Sequence, residues 1–151
     1  MIRLAAALAA LLVGACAAPL DAPAPYRMTF APSAWTPAQA AALHEAAALW
    51  DEATIAGVEL VEVPAGAGVS IAPGDLPTHL GGHEQHGGVT IRANLPIAEF
   101  SEVAAHEIGH ALGLEPVRDG VMQGDARMHG LQLSAEDIAE CERVGACAPK
   151  E

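Results

Sequence analysis

Positive charge is scarce in this sequence. Lysine and arginine together number 7, against 19 aspartates and glutamates, so the formal net charge is −12. A protein of this charge repels phosphate groups, which argues against nucleic acid or an anionic lipid surface as a partner. The same charge favours substrates that are neutral or basic.

Aromatic residues are also few, at 3% of the 151 residues. The hydrophobic core must therefore be built mainly from alanine, leucine, valine and isoleucine. Residues 26–151 are enough for one domain with a core of modest size. We expect this domain to be monomeric.

The apolar run at the N-terminus ends at Leu12 and is too short to cross a membrane. It follows Arg3, and a charged start before a short apolar stretch is typical of a signal peptide, which we place at residues 1–15. Residues 12–16, Leu-Val-Gly-Ala-Cys, resemble a bacterial lipobox, in which Cys16 would be lipidated and become the mature N-terminus. An ordinary signal peptide that contains a cysteine is the alternative.

A lipidated Cys16 would anchor the protein to a membrane of the bacterial cell envelope. Ala17 follows instead of aspartate, so retention at an inner membrane is not signalled. We expect the outer membrane or the periplasmic face, rather than the cytoplasm. Residues 16–25 would form an extended, lipidated tether, and the folded domain would occupy residues 26–151.

Two further cysteines, Cys141 and Cys147, lie near the C-terminus with five residues between them. Export permits disulfide formation, and we predict that these two are bonded to each other. The bond would pin the C-terminus to the last helix. A metal-binding role is disfavoured because no histidine lies near them in sequence.

The strongest functional signal is His106-Glu107-Ile108-Gly109-His110, an HExxH motif. Residues four apart share one face of a helix, so both histidines can bind one ion, for which zinc is the expected metal. Glu107 would take a proton from a zinc-bound water. The alternative is a buried helix with two hydrogen-bonded histidines. Ser101 or Asn94 could cap this helix, and Gly113 suits its end.

Residues 106–114 resemble the active-site helix of the metzincin metalloproteases, most closely the matrixin branch. Met122, within Gly-Val-Met-Gln-Gly at 120–124, resembles the family's methionine turn, and residues 133–138 resemble the start of its last helix. The resemblance implies an α+β, zincin-like fold: a twisted mixed sheet, two long helices and a small C-terminal helical part. It also implies zinc-dependent hydrolysis of peptide or protein substrates.

The family's third zinc ligand would fall at Pro116, which has no ligating side chain. Glu115 is the nearest replacement, because a carboxylate oxygen can bind zinc. Asp119 is the second choice and Glu136 the third. With no third protein ligand, the chain would be a non-catalytic binding lipoprotein, a decayed protease that keeps the fold.

Three histidines, His79, His83 and His86, lie within eight residues of a glycine-rich stretch. They could form a second metal site, line the cleft or complete the zinc site. A polar loop is the alternative. A periplasmic zinc carrier is a further possibility that depends on this stretch alone.

The remaining pattern predicts strands separated by helices. We expect the last predicted strand, residues 88–93, to lie at an edge of the sheet and the substrate to lie along it. A first helix should follow the cap Thr36 and Pro37, and the last should start at Ser134 with Asp137 as the capping-box acid. The predicted strands cover residues 26–30, 58–63, 69–72 and 88–93, and the predicted helices cover 38–53, a stretch from Ile97 or Glu99 through the motif, and a stretch from Ser134.

Overall fold

A computed structural model describes residues 23–67, 70–124 and 130–148. They form a five-stranded mixed sheet and three α-helices, so the expected α+β class is confirmed. In chain order the elements are β1 (Tyr26–Phe30), a 3-10 turn (Pro32–Ala34), α1 (Pro37–Asp51), β2 (Val58–Glu62), β3 (Ile71–Gly74), β4 (Gly82–Gln85), β5 (Gly88–Arg92), α2 (Ile97–Ala111) and α3 (Ala135–Arg143).

The strands lie in the order β2-β1-β3-β5-β4. The first four are parallel, and β4 pairs antiparallel with β5. The prediction that β5 is an edge strand is therefore wrong, because β4 covers it. The two strands are joined by His86 and Gly87, whose φ angles of 54° and 81° match the positive φ that a two-residue type I′ hairpin requires at both positions.

Helix α1 begins as the sequence predicts. Thr36 and Gln39 form a capping box, and Pro37 occupies the first turn. Near the end of the helix Trp50 is fully buried, and its Nε1 donates to the carbonyl of Ala105 at 2.8 Å. This bond fixes α1 against the middle of α2.

Helix α2 begins after Pro96, which caps it without a side-chain hydrogen bond. The predicted caps Ser101 and Asn94 are therefore wrong. Ser101 lies inside the helix, where its hydroxyl donates to the carbonyl of Ile97 at 3.1 Å. The predicted end is confirmed, because Gly113 follows the C-cap with φ +92°, a conformation that glycine adopts without strain.

Helix α3 is capped by the predicted box of Ser134 and Asp137. The predicted disulfide between Cys141 and Cys147 is present, with a Cα–Cα distance of 5.1 Å. Beside it, the amide of Ile55 donates to the carbonyl of Ala146 at 2.8 Å. The C-terminal segment is thus held both to α3 and to the loop after α1.

The core lies between the sheet and the two long helices, with Phe30, Leu43 and Phe100 fully buried. Across the ranges that the structure describes, no helix is both long and apolar enough to span a membrane. The predicted signal peptide, Cys16 and most of the tether lie outside those ranges, as does Val69 of the third predicted strand.

Candidate active site

Helix α2 brings His106 and His110 together one turn apart. Their rings are perpendicular, with centroids 4.6 Å apart. The two Nε2 atoms face each other at 3.1 Å. The spacing of the motif thus brings two imidazole nitrogens within 3.1 Å of each other.

Backbone carbonyls orient both rings from behind. His106 Nδ1 lies 2.8 Å from the carbonyl of Val121, and His110 Nδ1 lies 2.8 Å from that of Leu114. A carbonyl oxygen can only accept, so each Nδ1 carries the hydrogen. In the neutral rings both Nε2 atoms therefore present lone pairs, the tautomer that a metal ligand needs.

The Nε2 pair fits a zinc ion. Zinc–nitrogen bonds are about 2.0–2.1 Å, so two nitrogens on one tetrahedral ion lie roughly 3.3 Å apart, close to the separation found here. Burial lowers the pKa of His106, assisted by the neighbouring His110. The neutral form that binds metal is favoured for that ring.

Glu107 points toward the sheet. Its side chain is buried and lies against β4, where an ideal Cβ built on Gly82 would be 2.5 Å from its Cγ and 2.7 Å from its Oε1. The pKa of Glu107 is raised to about 7, mainly by burial; the backbone of Glu84 opposes the shift and the charge of Glu84 adds to it. A carboxyl held in this way can exchange protons near neutral pH.

The segment predicted as a methionine turn packs under α2. Met122 is fully buried, and a Cβ on Gly109 would overlap its sulfur. The fully buried carboxylate of Asp137 accepts from the backbone amides of Val121 (2.9 Å), Met122 (2.8 Å) and Ser134 (2.7 Å). Through Val121, whose carbonyl orients His106, the start of α3 is connected to the histidine pair.

This role of Asp137 was missed by the sequence reasoning, which assigned it only to the helix cap. A signal was present in Gly120, which has φ +98° and on which a Cβ would overlap the Asp137 and Ser134 side chains. A glycine at the first position of the predicted methionine turn is compatible with such close packing. Sequence alone does not show which side chain makes the approach.

A cleft of about 540 Å³ opens over the histidines. His79 and His83 line it, whereas His86 lies in the exposed β4–β5 turn outside the lining. The charged residues of the lining, apart from histidines, are Glu84, Arg92, Glu99, Glu107 and Glu115. Two of the three loop histidines are therefore placed at the same cleft as the motif.

The three candidate third ligands are placed differently. Glu115 lines the cleft, and its backbone amide donates to Glu140 at 2.9 Å. The Glu136 carboxylate accepts from the backbone amide and guanidinium of Arg118, at 2.9 and 3.1 Å. Asp119 is exposed and, like Glu136, lies outside the cleft lining.

Within residues 23–67, 70–124 and 130–148, no three His, Cys, Asp or Glu side chains are grouped closely enough to hold an ion. The third ligand, and any second ion at His79 and His83, stay predictions. In comparisons with known proteins, no family model matches the chain and no curated protein is significantly similar to it.

Proposed function

We propose that this protein is a lipid-anchored zinc metallopeptidase of the bacterial cell envelope, with a metzincin-like fold. The observation that carries the proposal is the pair of Nε2 atoms 3.1 Å apart, each left with a lone pair by a hydrogen bond at Nδ1. Two lone pairs at this separation repel each other unless a proton or a metal ion lies between them, and burial disfavours the extra proton on His106. A bound zinc ion removes that repulsion.

His106 and His110 would hold the ion, and Glu115 is the best-placed candidate for a third ligand because it lines the same cleft. When bound, zinc would supply Lewis-acid chemistry: it lowers the pKa of a water and polarises a carbonyl. Glu107 would take the proton from the attacking water and pass it to the leaving amine. Its burial supports this role, because a desolvated carboxylate is a stronger base than an exposed one.

Peptide is the proposed substrate. Strand β4 forms one edge of the sheet beside the cleft, and an extended peptide can add to such an edge through main-chain hydrogen bonds. The cleft lining is acidic, because Glu84 and Glu115 remain after Arg92 pairs with Glu99 at 3.8 Å, so peptides with neutral or basic side chains are favoured over acidic ones.

A non-catalytic binding lipoprotein is the second candidate. It is favoured by Pro116 at the family's ligand position and by the missing group of three ligating side chains in the described ranges. Two histidines alone would bind zinc weakly. The binding lipoprotein would have the same fold and histidine pair as the metallopeptidase. It would differ in that no peptide is hydrolysed at the histidine pair.

Zinc content and peptide cleavage test the proposal together. We expect about one zinc per chain in the wild type, and loss of zinc in His106→Ala and His110→Ala. Glu107→Gln should keep the zinc and abolish cleavage of a peptide library. His44→Ala, an exposed histidine on α1, is the matched control and should change neither property.

Full zinc content in both histidine variants would overturn the metal site. Zinc binding by the wild type with no cleavage of any library peptide would favour the binding lipoprotein. The anchor is tested separately: labelled palmitate should be incorporated by the wild type and not by Cys16→Ser. Equal labelling of the two would refute lipidation at Cys16.

A further inference from the structure

The segment between β3 and β4 lines the cleft without contributing to the core. Residues 78–81 all belong to the cleft lining. Residues 77–80 are exposed, and Leu80 presents a large apolar side chain of which 40% is accessible. We call residues 77–81 the cleft wall. Because burial does not determine where an exposed segment lies, other contacts must hold the cleft wall in place.

Arg92, the last residue of β5, is bonded to both ends of the cleft wall. Its guanidinium Nη1 donates to the carbonyl of Thr78 at 2.6 Å and, at the longer distance of 3.4 Å, to that of Pro77. Its backbone amide donates to the carbonyl of Gly81 at 2.8 Å. Hydrogen bonds from a charged donor are stronger than those between neutral groups, so the bond to Thr78 is the main contact.

The guanidinium group is itself held. Only 16% of the Arg92 side chain is exposed, and its Nη2 lies 3.8 Å from Oε1 of Glu99 in the first turn of α2. Within the cleft wall, the amide of Leu80 donates to the carbonyl of Pro77 at 2.8 Å, which closes the turn that Arg92 contacts. Arg92 therefore connects the cleft wall, the end of β5 and the start of α2.

We propose that Arg92 is a positioning residue that holds the cleft wall in place, so that His79 and Leu80 contact the substrate. Arg92→Lys tests this role, because it keeps the charge but replaces a planar fork of donors with a single ammonium group. The substrate contacts rest on the proposed function. The holding of the cleft wall depends only on the hydrogen bonds of Arg92.

Backbone order in the cleft wall can be measured without metal or activity. In the ¹⁵N-labelled full-length chain, the order parameters of amides 78–81 should fall from about 0.85 in the wild type to about 0.6 or less in Arg92→Lys, the values of rigid and flexible backbone. Glu99→Gln should have a smaller effect, because it removes only the ion pair at 3.8 Å. Arg27→Lys is the matched control, an exposed arginine on β1 that pairs with Glu59 at 3.3 Å, and should change nothing in the cleft wall.

An amide in the middle of α2 separates a local effect from a general one. Ile108 is fully buried and should keep its wild-type order parameter in Arg92→Lys. A cleft wall that stays rigid in this variant, or an equal fall at Ile108, would overturn the positioning role.

The consequence for the substrate is measured on the zinc-loaded protein with a cleaved library peptide. Arg92→Lys should raise KM roughly three- to tenfold and leave kcat and zinc content within about twofold, because the lost contacts act on binding and not on the reaction step. In a His79→Ala, Leu80→Ala background the same substitution should change KM less than about twofold, since the contacts through which it acts are already absent.

A full effect of Arg92→Lys on KM in that background would overturn the claim that Arg92 acts through the cleft wall. The order parameters can be measured even if the wild type cleaves no peptide, so failure of the proposed function is distinguishable from failure of this inference.

Discussion

The two sides of the candidate site are held in different ways. His106 and His110 lie on a packed helix, and each has its Nδ1 hydrogen-bonded to a carbonyl at 2.8 Å. Glu115 lies in the exposed segment after the helix, and its backbone amide is held by Glu140 of α3. The fold therefore sets the direction of two nitrogens in advance, whereas the third ligand depends on a segment with few buried contacts.

This difference predicts which ligand must become more ordered when the metal binds. A preorganised donor pair binds without further ordering, but an exposed carboxylate must lose side-chain freedom when it binds. Glu115 also precedes Pro116, which favours extended backbone at position 115. We expect the histidine pair to dominate zinc affinity and the third ligand to tune it.

The largest effect should come from Asp137→Ala, which acts on the histidine side of the comparison. The substitution leaves the amides of Val121, Met122 and Ser134 without their acceptor. Each unsatisfied buried amide costs about 1–3 kcal/mol, so we expect a loss of at least about 3 kcal/mol in the free energy of unfolding. Urea titration of the metal-free protein measures it.

Asp137→Asn is the control for that prediction, because the amide oxygen can still accept from some of these donors and the shape is kept. We expect it to lose less stability than Asp137→Ala. A loss below about 1 kcal/mol in Asp137→Ala would show that α3 does not hold the segment that orients His106.

The parts of the site that follow from local sequence were predicted, and those that depend on distant backbone were not. The HExxH spacing, the caps at Thr36 and Ser134 and the end at Gly113 involve residues within one or two turns of each other. Strand β4 was missed because Gly-His-Glu-Gln lacks apolar alternation, and only pairing with β5 makes it a strand.

The carbonyls that orient the histidines were also out of reach of sequence patterns. Every residue has a carbonyl, so nothing in the residue types at Val121 or Leu114 marks them as acceptors for His106 and His110. The predicted start of α2 at Ile97 is confirmed, but its cap was misjudged, since Pro96 occupies that position without a side-chain bond.

A smaller effect is expected on the other side of the site, from Glu115→Ala. If Glu115 completes the site, the variant should bind zinc at least about 10-fold more weakly, since even a group outside the ligand shell typically costs that much, but the loss should be smaller than for either histidine. Asp119→Ala is the matched control, an exposed acid outside the cleft lining, and should leave affinity unchanged. Competition with a chelator of known affinity measures both.

Equal zinc affinity in Glu115→Ala and the wild type would show that Glu115 is not a ligand of the ion held by His106 and His110. Insertion of a histidine after Glu115 is a second test, whichever result Glu115→Ala gives. A large gain in zinc affinity and peptide cleavage would show that the natural site lacks an effective third ligand. No gain, together with metal loss in Glu115→Ala, would show that Glu115 already acts as the third ligand.

The smallest effect should come from Glu140→Gln, which loosens the segment that carries Glu115. Hydrogen bonds from Arg143 and then from the Glu115 amide lower the pKa of Glu140 to about 2. Because the folded-state pKa lies below that of the unfolded chain, its contribution to stability is present above about pH 4.5 and is lost as the pH falls toward 2. Glu140→Gln should therefore be slightly less stable than the wild type at pH 6, and the difference should be smaller at pH 2.5, which urea titrations at the two values would measure. A gap of the same size at both pH values would mean that the charge of Glu140 contributes nothing to stability.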